Sequence, residues 1–177
     1  MLKAFYIYRK SIIHWPRPQR GRILQKQKME DKVSINVKEI EFGSPEQIES
    51  INLRYKVLRE PLGLNFDEND LAKEYQDFHI AAYSNGEIVG VLLLKPTENS
   101  EIIKMRQVAV ANDWQGKGIG KSMVLFAEKF AFEKGYKKME LHARETAVPF
   151  YLSLGYFIKG DTFYEVGIPH KKMIMTL

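Results

Sequence analysis

The 177-residue chain is 45% hydrophobic and 28% charged, the balance of a globular protein able to bury a core of ordinary size in one domain. It contains no cysteine, which excludes disulfides, thiolate metal sites and a cysteinyl acyl-enzyme, and no apolar run approaches the ~20 residues of a bilayer-crossing helix. The net charge of +5 is uneven: residues 1–32 hold nine Lys/Arg against two Asp/Glu, leaving eighteen against twenty in the rest, so the positive excess belongs to one short segment and argues against a folded nucleic-acid-binding face.

That segment has no acid before Glu30 and mixes aromatics with Arg and Lys. It lacks the apolar block and small-residue cleavage site of a secretory signal. It reads as a disordered or adventitious tail, with Met29 as an alternative start, and the domain proper is expected over residues 33–177. Alternation from Val33 to Phe42 predicts a first strand. Ser44 and Pro45 then supply an N-cap and a proline at the first helical position. Ile48, Ile51, Leu53, Tyr55, Val57 and Leu58 predict an amphipathic helix that ends before Pro61. The acidic stretch from Leu64 to Asp77 reads as a lid or substrate wall, partly helical at best. Its carboxylates Asp67, Glu68 and Asp70 lack the glycine and terminal glutamate of a calcium loop, and no metal is expected.

Two strands, from Phe78 to Ser84 and from Glu87 to Leu94, flank Asn85-Gly86, a strong hairpin signal. Another runs from Ile102 to Val110, with Met105, Gln107 and Ala109 expected on one face and Arg106, Val108 and Val110 on the other. Ile119, Met123, Phe126 and Phe130 recur at helical steps within a helix from Gly118 to Lys134, closed by Gly135. Phe126, Phe130 and Phe132 are expected in the core. A strand follows from Lys138 to Ala143, then a short helix capped by Thr146 and ending at Ser153. Three short strands complete the chain, from Tyr156 to Lys159, Phe163 to Val166 and Met173 to Met175. This order describes an α/β sandwich around one mixed sheet.

The chemistry concentrates between the Ile102–Val110 strand and the following helix, in Gln115-Gly116-Lys117-Gly118-Ile119-Gly120-Lys121-Ser122. The first turn of a helix presents N–H groups without intrahelical partners at the positive end of the helix dipole. Glycines there remove the Cβ atoms that would keep a diphosphate away from those amides. Lys117, Lys121 and Ser122 add charge and a hydroxyl. The spacing fits neither a Walker loop nor a dinucleotide fingerprint, whose last glycine gap is one residue longer.

The run Met105-Arg106-Gln107-Val108-Ala109-Val110 followed by Gln115-Gly116-Lys117-Gly118-Ile119-Gly120 resembles the acyl-CoA-binding core of the GNAT N-acetyltransferase superfamily, whose signature is Arg/Gln-x-x-Gly-x-Gly/Ala after a strand. Ala147-Val148-Pro149-Phe150-Tyr151-Leu152-Ser153-Leu154-Gly155-Tyr156 resembles a second motif of that family, in the right order. The resemblance implies an α+β fold with a mixed, mostly antiparallel sheet of six to seven strands flanked by about four helices. It implies acetyl-CoA as co-substrate: Val108, Ala109 and Val110 along the pantetheine arm, Gln115 to Ser122 around the pyrophosphate, and Ala147, Phe150 and Tyr151 beside them. Tyr151 takes the place of a general acid for the departing thiolate. A base is needed to neutralise the amine; Glu165 and His142 are the candidates, with Glu140, Glu145, His79 and His170 also available. Glu165 and His170 flank Gly167-Ile168-Pro169, read as a turn in the substrate wall. The implied activity is direct N-acetyl transfer to a small-molecule or peptide amine in the cytoplasm, away from membranes, with a homodimer left open. The rival readings are a non-catalytic acyl-CoA sensor on the same fold and a nucleic-acid binder acting through the basic segment.

Overall fold

A computed structural model describes residues 34–177. The basic segment 1–32, and Val33 at the expected start of the first strand, lie outside the described residues. Seven strands form one sheet: β1 (Ile35–Ile40), β2 (Phe78–Ser84), β3 (Glu87–Pro96), β4 (Ile102–Val110), β5 (Lys138–Arg144), β6 (Phe157–Glu165) and β7 (Ile168–Thr176). Their order across the sheet is β1-β2-β3-β4-β5-β7-β6. Every neighbouring pair is antiparallel except β4 with β5.

Four helices cover the two faces. The first, α1 (Pro45–Arg54), packs on β3 and β4, and α2 (Glu68–Ala72) follows it in the chain. On the other face α3 (Ile119–Glu133) crosses β1 to β4, and α4 (Val148–Ser153) packs on β5. The larger core lies under α3, where Ile80, Leu92, Leu94, Met105, Leu141 and Met173 meet Met123, Val124 and Ala127. Under α1 the core is smaller, built on Ile40, Ala81, Val91 and Ala109.

Several expectations need correction. Helix α1 buries Gln47, Ser50 and Arg54, while Ile48 is 59% exposed; Gln47 accepts from the Gly43 N–H and Arg54 enters an ion pair, described below. The chain then continues as a π turn, Tyr55–Arg59, not as α-helix. Phe132 is 64% exposed; the buried stripe of α3 is Ile119, Met123, Val124, Ala127 and Ala131. Thr146 makes no cap, since α4 opens from Ala147 without a side-chain hydrogen bond. The two strands expected between Tyr156 and Val166 are one strand, β6, whose register against β7 shifts between Ile158 and Thr162. Strand β7 begins at Ile168, five residues before the expected Met173.

Two of the three hairpins turn on two residues at positive φ, Asn85 and Gly86 (51° and 86°) and Val166 and Gly167 (47° and 76°), the turn whose twist matches antiparallel strands. The turn expected at Gly167-Ile168-Pro169 is therefore Val166-Gly167, with Ile168 and Pro169 already in β7. A β-branched residue is strained at positive φ. Val166→Gly is expected to raise the unfolding free energy by about 1 kcal/mol, the steric penalty of the left-handed region less the added chain entropy of glycine, as read by urea denaturation.

Candidate active site

Strands β4 and β5 are hydrogen-bonded in parallel only from Ile102–Lys138 to Met105–Leu141. Beyond that point they part. The cause lies at the next residues of β4: its register against β3 shifts between Val91 and Leu93, and Gln107 sits at φ 52°. This is a β-bulge, which bends the strand that carries it. It also reverses the alternation of side chains. Met105 and, past the bulge, Val108 and Val110 face α3, whereas Ala109 packs on the α1 side. The expected grouping of Met105 with Ala109 fails for this reason.

The free edge of β4 is polar backbone. The Ala111 N–H donates to the Val89 carbonyl of β3 at 2.9 Å. By alternation the main-chain groups of Val108 and Val110 point away from β3, into the opening. The Val110 carbonyl is taken by the Gln115 side-chain amide at 3.1 Å, and the same nitrogen donates to Asn112 Oδ1 at 3.2 Å. Gln115 thereby ties the end of β4 to the glycine turn.

Gly116 and Gly118 hold φ of 73° and 82°, and Gly118 is the N-cap of α3 with no side-chain capping bond. The amides of the first α3 turn are thus left without partners inside the helix. A Cβ placed on Gly120 would stand 3.5 Å from Phe150 and 3.9 Å from Val110, so β4, α3 and α4 converge there. The Ile119 side chain is in the core, leaving its amide for a ligand. Lys121 and Ser122 are exposed, and the Lys117 ammonium rests over the Trp114 ring, 4.8 Å from its centroid.

The opening between β4 and β5 is a cleft of about 1020 Å³ with two unlike walls. On the α3 side it is apolar, lined by Met105, Val108, Leu141, Ala143, Ala147 and Tyr151. Tyr151 is 6% exposed and packs edge-on against Phe150 and Tyr156. Burial pushes its phenol above the ordinary tyrosine range, so it stays protonated. The opposite wall is charged. His142 Nδ1 lies 2.5 Å from Glu165 Oε1, and Lys104 Nζ lies 3.2 Å from the same nitrogen. Burial depresses Lys104 despite nearby Glu165 and Glu140. Arg59, Arg106, Arg144 and His170 share this cleft.

A family model for the acetyltransferase (GNAT) domain matches residues 63–177. The chain belongs to the GNAT acetyltransferase family. This GNAT chain is 34% identical over 112 residues to the uncharacterized protein YyaT of Bacillus subtilis, a match covering 61% of this chain and 71% of YyaT. It is 26% identical over 112 residues to N-acetyltransferase family 8 member 3 of Rattus norvegicus, covering 57% of this chain and 49% of that longer protein; it spans about half of that relative's length. A GNAT family acetyltransferase from Elizabethkingia anophelis, solved with acetyl-CoA bound, superposes with a TM-score of 0.62 at 21% identity, covering 81% of this chain and 98% of the other. At that identity the likeness is one of fold.

Among the residues expected at this GNAT site, the cleft brings together Val108, Ala147, Tyr151, His142 and Glu165. Val110, Phe150 and Gly120 adjoin one another at its end, and Gln115 to Ser122 form the turn beyond. The Ala109 side chain points to the other face, leaving only its main chain near the site. Glu140 is paired with Lys172 at 2.6 Å. His79 is buried against the Glu74 carbonyl at 2.9 Å and does not line the cleft. No group of three or more His, Asp or Glu arranged to hold a metal ion occurs among the described residues, and no helix there is long and apolar enough to cross a membrane. Sequence reasoning missed the bulge, Lys104 and the arginines. Only Lys104, Arg106 and Gln107, in an otherwise apolar strand, hinted at them.

Proposed function

We propose that this chain transfers an acetyl group from acetyl-CoA directly to a primary amine, within a ternary complex. The observation that carries the reading is the parting of β4 from β5 immediately before a glycine turn and an uncapped helix start. A strand edge with free amides suits an extended amide-bearing arm, and the helix start suits a diphosphate. With no cysteine in the sequence, a cysteinyl acyl intermediate is not available. Acetyl-CoA supplies the activated thioester when bound.

The residues divide the work as follows. Val108 and Val110 hold the arm through main-chain groups, and the amides of Gly118, Ile119 and Gly120 hold the diphosphate, assisted by Lys117, Lys121 and Ser122. Ala147 and Phe150 close the apolar wall. His142, oriented by Glu165, takes the proton from the incoming amine. Tyr151 returns a proton to the departing sulfur. Its burial keeps the phenol protonated throughout the range in which a thiolate forms, while making it a weaker acid, so the transfer relies on contact with the sulfur.

Tyr151→Phe is expected to lower kcat by about 100-fold or more, the usual range for losing a positioned acid, while the KM for acetyl-CoA changes little. In the parent enzyme, activity that depends on the phenol should persist as the pH passes through the ordinary tyrosine range. A thiol-release assay over an amine panel, paired with calorimetric titration of CoA, tests the whole reading. Tight CoA binding without turnover of any amine would instead favour the sensor.

A further inference from the structure

We infer that the amine acceptor carries an oxyanion, a carboxylate or a phosphate group, which Arg59, Arg106 and Arg144 receive in the charged half of the cleft. This rests on the transfer reading above and names the class of its second substrate.

The three guanidinium groups come from three separate elements, the π turn after α1, β4 and β5, and line one cleft. Two of the three lack a carboxylate partner: among the described residues no carboxylate lies within 4.0 Å of Arg59 or Arg144, and Arg106 has only Asp77 at 3.8 Å. Neutral groups position them instead: Arg144 donates to the Leu58 carbonyl at 3.3 Å, and Arg59 lies 5.0 Å from the centre of the Phe66 ring. Lys95 and Lys104 line the same cleft, against Glu98 and Glu165 as the acids that line it among the described residues, and Glu165 is engaged by His142. Nearby Glu74 is matched by Arg54. Burial first, then the charges of Arg144, Arg106 and Arg54, lower the pKa of Arg59, with Glu74 opposing them.

Such a cluster costs folding free energy and is stabilised when an anion enters. The phosphates of CoA are poorly placed to be that anion. Their expected cradle, Gly116 to Ser122, lies past the end of β4 beside α3, and none of its residues lines this cleft. Arg106 and Arg144 belong to the α1 face, since their chain neighbours Met105 and Ala143 pack under α3. The anion therefore arrives with the other substrate. A guanidinium binds a carboxylate or a phosphate through parallel N–H donors, whereas a polyamine would meet uncompensated repulsion.

The test is thiol release by the full chain at saturating acetyl-CoA, with matched acceptors: leucine and phenylalanine against their α-amides, glucosamine 6-phosphate against glucosamine, and spermidine. An oxyanion-bearing member is expected to exceed its neutral counterpart in kcat/KM by about tenfold or more, as for one charge-assisted hydrogen bond lost. Whether the acids or the sugar phosphate show the gap identifies the source. Arg59→Gln and Arg144→Gln should shrink that ratio by raising acceptor KM with the KM for acetyl-CoA unchanged, and Arg144→Lys should restore part of it. Equal or better turnover of the amides, glucosamine or spermidine overturns the inference, as does a ratio that survives both glutamine variants. No thiol release from any member sinks the transfer reading and this inference with it; turnover without the oxyanion preference sinks this inference alone.

Discussion

Gly118→Trp is expected to yield a folded protein that no longer binds acetyl-CoA measurably. Gly118 adopts φ 82° and its Cβ direction is open, with no atom within 4 Å. The Cβ itself meets no protein, so the variant is expected to fold at the cost of the left-handed backbone, about 1–2 kcal/mol, against the 5–15 kcal/mol typical of a domain. The side chain instead fills the space in front of the first α3 amides. Losing two charge-assisted hydrogen bonds, each worth about 1.5–3 kcal/mol, weakens binding by at least about a hundredfold. Gly120→Trp approaches from the other side, toward Phe150 and Val110, and should do the same. Calorimetric titration with CoA reads both; retained affinity in either folded variant would rule out this turn as the diphosphate site.

The largest effect on stability is expected at Arg54. Its guanidinium is fully buried and meets Glu74 through two bonds, of 2.8 and 2.9 Å. It also donates to Gln107 at 2.7 Å, and Gln107 donates back to Glu74 at 3.1 Å. Arg54→Met or Glu74→Met leaves one charge buried without its partner, a loss of about 3–5 kcal/mol. The double variant Arg54→Met, Glu74→Met should recover most of it, because an apolar pair of similar volume avoids the desolvation of both ions. Urea unfolding of the four proteins gives the coupling energy directly. Single losses under about 1 kcal/mol would mean that water reaches the pair. Since Gln107 hangs on this pair, the singles should also lose transfer activity at concentrations of urea too low to unfold them.

The same network shows where the sequence was readable. The glycine turn, α3 and the Asn85-Gly86 hairpin follow from local rules: uncapped amides, steps of three and four, and a pair of residues tolerant of positive φ. The site motif was legible because it is made of backbone, and glycines announce backbone. The charged half was not, because it depends on contacts far apart in the chain. Arg54 meets a glutamate 20 positions later and a glutamine 53 later, and no periodicity reports such a partner. It turns the buried face of α1 polar, so counting apolar residues placed the wrong side inward. At Gln107 the failure was different. Strict alternation is the only rule a single strand offers, and one inserted residue breaks it silently. Val166 hid its turn in the same way, since nothing in a valine advertises positive φ.

Gln107 is in this sense a spacer. Deleting it would leave Met105, Val108 and Val110 all facing α3, so a hydropathy profile would register nothing wrong. The straightened β4 would have no reason to leave β5, and pairing would zip onward to fill the opening. A homologue with a one-residue gap at this position is accordingly expected to fold, crystallise and pass every pattern search, yet do no chemistry.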